Sequence, residues 1–152
     1  MIIHDFDGDG FNDLLAVNAG EIDDGSGSAV SCWKQDPTHP GQFPTKQVYP
    51  VPNGGRDLAL LPATNGSDPD FAVVSIVYDS QSPSSVTIFR NQGGGQLRSR
   101  EDSDRPFPRS FVATGDFNTD GLVDVIVNDG PILFFQDQTT PGTFLPGEIL
   151  LP

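Results

Sequence analysis

The chain has 152 residues, enough for one ordinary domain with a buried core, and its 36% hydrophobic content argues against disorder. Asp and Glu outnumber Lys and Arg by 21 to 8, leaving a net charge of −13. Such a surface repels nucleic acid and anionic membrane and favours cations or basic partners. The 17 Gly and 14 Pro exceed the usual combined share of about 12%, which predicts many turns and few long helices.

Residues 1–4 (MIIH) read as the end of a first strand, which runs into 5–13, DFDGDGFND. Four carboxylates in nine residues repel one another unless a cation gathers them. Asp5, Asp7, Asp9 and Asp13 hold positions 1, 3, 5 and 9 of this loop. Gly10 stands at position 6, where a sharp turn needs positive φ, and Phe11 at position 7 can turn its carbonyl inward. About six oxygens with no His or Cys suit Ca²⁺ better than zinc or copper. Mg²⁺ fits less well, because it keeps more water and wants a stricter octahedron. Strands follow at 14–17 and 29–33, then a polar turn at 35–43 (QDPTHPGQF) and a closing strand at 46–51. The lone Cys32 can form no intrachain disulfide and is expected as a buried structural thiol.

The acidic loop has a near-copy at 116–124, DFNTDGLVD, 111 positions later. Half that interval should hold a third copy. Residues 58–61 (LALL) match 112–115 (VATG), and 71–74 match 125–127, placing Asp70 opposite Asp13 and Asp124. The acidic positions between have eroded to Pro62, Thr64 and Gly66. Apolar runs at 71–78 and 86–89 and a short turn at 91–97 continue the middle unit. The last unit has runs at 125–127 and 132–135, the turn 136–144 (QDQTTPGTF) and a strand at 147–151.

The fold class expected is therefore all-β. It has three four-stranded antiparallel repeats, approximately 1–52, 53–107 and 108–152, in a single repeat domain. A period of roughly 50 residues with four strands is the size of a β-propeller blade. Three blades fall short of the four to eight of a typical ring. A partial or oligomer-completed propeller follows, its open edges covered by further copies (a dimer or head-to-tail assembly), by another protein partner, or by the remainder of a longer chain.

An EF-hand would need Glu at position 12 and flanking helices, but Ala16 and Val127 stand there with apolar strands following, so that alternative fails. Two calcium sites are expected. The first uses Asp5, Asp7, Asp9, the Phe11 carbonyl and Asp13. The second uses Asp116, Asn118, Asp120, the Leu122 carbonyl and Asp124, with Gly121 at position 6. Asp68 and Asp70 alone would hold calcium poorly, so removing Asp9 or Asp120 is expected to cost more than removing Asp68.

No catalytic residue emerges. His4 adjoins the first loop and His39 lies in a Pro-rich turn. The serines cluster in turns without a nucleophile elbow, and Gly93, Gly94 and Gly95 lack the Lys and helix of a phosphate loop. The paired carboxylates are better explained as ligands than as a glycosidase pair. Trp33, Phe89 and Phe134 share a repeat position and are expected in the core between blades. Asn65 opens an N-glycosylation sequon. No apolar run approaches the roughly 18 residues of a transmembrane helix. No signal peptide precedes the first strand, and its abrupt start suggests a piece of something longer.

The loops 5–13 and 116–124 resemble the FG-GAP/VCBS repeat family, whose units carry D-x-[DN]-x-D-G-x-x-D between the first two strands of a blade. The tails 40–43 (PGQF) and 141–144 (PGTF) look like its closing turn. The resemblance covers essentially the whole chain, departing at the middle loop. It implies a calcium-stabilised propeller, secreted or at the cell surface, serving adhesion or structural and filament assembly without catalysis. Glycan-binding (lectin-like) propellers and accessory repeat regions of larger secreted enzymes are the alternatives it leaves open.

Overall fold

A computed structural model describes residues 1–20, 27–52, 54–63, 68–76, 84–105, 111–128 and 131–150, the side chains of 99–105 excepted. The described chain is all-β: twelve strands form three four-stranded antiparallel sheets, and no helix is long and apolar enough to cross a membrane. The first sheet orders β1 (Ile2–His4), β2 (Asp13–Asn18), β3 (Ala29–Lys34) and β4 (Thr45–Pro50) side by side. The second does the same with β5 (Gly55–Leu61), β6 (Asp70–Ser75), β7 (Ser84–Asn91) and β8 (Leu97–Arg105). The third uses β9 (Val112–Gly115), β10 (Asp124–Val127), β11 (Ile132–Phe134) and β12 (Glu148–Ile149). Each unit is thus a meander, whose short connections let successive strands pair as neighbours.

Register fixes which side chains share a face, because alternate residues of a strand point to opposite sides. Leu15 lies opposite Cys32, and Ala72 opposite Ile88, on what we call the forward face. Leu14 opposite Trp33, and Phe71 opposite Phe89, mark the backward face. The forward face of the first sheet, with Phe6, Leu15, Val30 and Cys32, packs on Leu58, Phe71, Val73 and Phe89 of the second. The forward face of the second, with Leu61, Ala72, Val74 and Ile88, packs on Val112, Val125, Val127 and Phe134 of the third. The middle sheet is consequently buried on both sides. That explains why β6 reads as a continuous apolar run rather than an alternation. Each large apolar side chain so buried stabilises by roughly 1.5–3 kcal/mol.

Phe71 stacks on Phe89 with ring centroids 4.9 Å apart, and Phe6 meets Phe71 edge-on at 6.2 Å, tying the first acidic loop to the second sheet. Gly55 shows how closely the sheets approach: a Cβ there would lie 2.5 Å from Val17 Cγ2. Phe89 and Phe134 are core, as expected, but Trp33 is only half-buried. It lies on the backward face of the first sheet, which no described element covers, with Lys46 Nζ 5.0 Å from its ring centroid. Cys32 is buried, and burial together with the nearby Asp13 pushes its thiol pKa up to about 11, which keeps it unreactive. Asn65, Tyr78 and Leu151 lie outside the described residues.

Candidate metal centre

Both acidic loops join the first and second strands of their sheets and share one backbone conformation. Position 6 has positive φ in each, 90° at Gly10 and 87° at Gly121. Position 4 does too, 75° at Gly8 and 62° at Thr119, the one described residue other than Gly with positive φ. Thr pays a steric penalty there, of order 1–3 kcal/mol, so the surrounding bonds must impose the shape.

Those bonds repeat. Asp13 at position 9 is fully buried and accepts the N–H of Phe6 at 3.1 Å and of Gln35 at 2.9 Å. Asp124 accepts from Phe117 at 3.0 Å and Gln136 at 2.9 Å. Asp5 at position 1 accepts the N–H groups of Gly8 and Gly10, and Asp116 those of Asp120 and Gly121. At position 5, Asp9 accepts from Phe11 and Asp120 from Leu122, both at 2.8 Å. The polar turns repeat as well: Gly41 N–H donates to Gln35 Oε1, and Gly142 N–H to Gln136 Oε1. Each Gln also sends its side-chain amide back to the acidic loop, at the Asn12 and Val123 carbonyls.

The first loop gathers oxygens of Asp5, Asp7 and Asp13 within 4.8 Å of one another. This donor set, carboxylate oxygen with no sulfur or nitrogen, fits a hard divalent cation. Asp9 stays outside the trio, exposed, with its oxygen held by Phe11. Among the described residues no second trio is so close. In the third loop Asn118 stands where the first has Asp7, and it donates to Asp120 Oδ2 at 2.9 Å. Gln138 donates to the same oxygen at 2.9 Å. These bonds, that from Gln138 foremost, hold the Asp120 carboxyl below its ordinary pKa.

Three cationic or amide partners escape the motif. Lys34 Nζ pairs with Asp7 at 3.3 Å and donates to the Gly94 carbonyl at 2.5 Å, linking the first loop to the second sheet. Asn91 Nδ2 donates to the Phe6 carbonyl at 2.7 Å, a second such link. Arg90 Nη1 pairs at 3.0 Å with the buried Asp70, the repeat equivalent of Asp13 and Asp124. Lys34 and Arg90 occupy the same repeat position, directly after the aromatic of the third strand. The amide that follows each, Gln35 or Asn91, recurs as Gln136, and that recurrence was a usable signal.

Asp68 differs from its expected minor role. It is buried, accepts the Gly94 N–H at 3.1 Å, and sets Oδ1 3.0 Å from where a Cβ of Gly8 would stand. It is a structural acceptor at the junction of the first two sheets. His39 pairs with Asp36 at 2.9 Å in an exposed turn, and His4 bonds the Asp5 carbonyl at 3.1 Å.

Burial, reinforced by Asp7 and Asp9, raises the Asp13 pKa above its ordinary value, against the lowering effect of its two backbone donors. A carboxyl whose folded pKa is raised contributes stability below its unfolded pKa, lost as pH rises through the folded value. In metal-free protein Asp13 should therefore contribute thermal stability that is gained as pH falls through its raised folded pKa toward the ordinary 3.8. With calcium present the trend should reverse, as protons compete with the ion. Melting curves in chelator and in calcium across that range check this; parallel curves would contradict it.

No family model, curated protein or solved structure matches this chain.

Proposed function

We propose that the chain is a non-enzymatic, calcium-stabilised β-propeller module of FG-GAP/VCBS type, its three sheets serving as consecutive blades, that works outside the cell in adhesion or structural assembly. The observation that carries this is the repetition of one loop conformation, with one set of carboxylate acceptors, at the same place in the first and third sheets. Asp5, Asp7, Asp9, Asp13 and the Phe11 carbonyl would hold one ion. Asp116, Asn118, Asp120, Asp124 and the Leu122 carbonyl would hold the other.

The bound ion supplies charge neutralisation, and the chain's own groups do the rest. Asp13 and Asp124 anchor each loop to the strand beside it, while the positive-φ residues give both loops the same sharp turn. The middle unit needs no ion, because Arg90 already neutralises Asp70. Calorimetric titration of chelator-treated protein should give two calcium sites per chain. None, or three alike, would overturn the proposal.

A further inference from the structure

We propose that the backward face of the first sheet and the forward face of the third form a head-to-tail interface between copies of this chain. The chain itself supplies the template. Twice within it a forward face packs on the next sheet's backward face, through equivalent repeat positions. Among the described residues, one backward face and one forward face are left without such a neighbour.

The leftover backward face is apolar where its equivalents are buried. Met1 is 77% exposed, whereas Leu58 and Val112, at the same repeat position in the second and third sheets, are 6% and 8% exposed. Ile3 and Val48 are exposed on that face, and half-buried Trp33 stands where Phe89 and Phe134 are core. The leftover forward face carries Ile126, half-buried, where Leu15 and Ala72 are fully buried. Beside Ile126, Phe111, Val112, Ala113, Val127 and Pro131 help to line an open cavity of about 190 Å³. In the first internal interface Leu58, on the first strand of the following sheet, packs in the cluster that holds Leu15 and Val17, the repeat equivalents of Ile126 and Asn128. The segment that would fill the cavity is therefore β1 of the other copy.

Charge agrees with this pairing at the rim. Lys46, opposite Trp33, lies on the backward face, and Glu148, opposite Leu133, on the forward face, both exposed on outermost strands. Because the two surfaces differ, the contact is heterologous, closing into a ring or continuing as a filament according to its rotation. The inference names a partner for the module proposed above and rests on its sheet stacking, not on its ions. Chelation tests the loops; mass in solution tests the faces.

Light scattering on the eluting chain should find species of two or more chains, growing with protein concentration. They should also grow with salt, which screens the −13 charge of each copy. Val48→Glu and Ala113→Glu should each abolish association while leaving the circular dichroism spectrum unchanged. Mixed together, they should recover a two-chain complex through the one intact pair of faces. Should either variant unfold, Ile3→Asp and Phe111→Asp, at 58% and 63% exposed positions, take their places. A chain that stays at 16.3 kDa throughout would overturn the proposal. So would association that survives both substitutions, or a mixture that recovers nothing.

Discussion

Replacing Arg90 by Met lowers the stability of the chain by about 3–5 kcal/mol, the usual cost of removing one partner from a buried ion pair. The side chain of Asp70 is fully buried and that of Arg90 is 12% exposed, so solvent screens the pair little. Without Arg90, Asp70 keeps the Asn91 N–H at 2.7 Å but loses the guanidinium that balances its charge. Met keeps most of the side-chain volume against Phe144, whose ring centroid lies 6.0 Å from the guanidinium, so the loss is mainly electrostatic. The decisive feature is its independence of calcium. Denaturant curves with and without the ion should give the same difference between wild type and variant. A loss appearing only in calcium would mean that the middle unit binds metal after all.

This expectation also marks where the sequence was legible and where it was not. The repeat, the strand order within each unit and the phase of both acidic loops follow from local signals: apolar runs, Gly and Pro punctuation, and aspartate spacing. The fourth strand of the middle unit was not placed. LRSREDSDR carries neither apolar alternation nor β-branched residues, and only its pairing with β7, from Leu97 opposite Asn91 to Arg105 opposite Ser84, makes it a strand. Trp33 was expected in the core because its repeat equivalents belong there. Its burial depends on a neighbouring sheet, which no local pattern encodes. Asp68 reads from the sequence only as a poor calcium ligand, because the loop around it has lost the other ligands. Its contact with Gly94 comes from a turn 26 residues away. In each case the missing information is a contact distant in sequence. The motif nevertheless located the one carboxylate trio that the described residues bring together.

Calcium at roughly a thousand times the dissociation constant should stabilise the folded chain by about 4 kcal/mol per site, if the unfolded chain does not bind. Asp9→Ala with Asp120→Ala should abolish most of that gain while changing the metal-free protein little. Both residues sit in loops rather than the core: Asp9 accepts the Phe11 N–H, and Asp120 accepts from Leu122, Asn118 and Gln138 at the surface, where water can replace the lost acceptor. Removing Asp9 also relieves repulsion among the four carboxylates of its loop. Asp68→Ala should behave in the opposite way. It orphans the Gly94 N–H at the sheet junction, costing about 1–3 kcal/mol with or without calcium. The two substitutions therefore separate ligand from scaffold within one acidic region. Melting temperatures of wild type, the double variant and Asp68→Ala, each in calcium and in chelator, make the comparison. If the double variant retains the full calcium response, the aspartates at position 5 are not ligands and the loops are solvated acidic turns. If Asp68→Ala loses stability only in calcium, the junction depends on an ion, and the division between metal-held outer sheets and an ion-paired middle sheet fails.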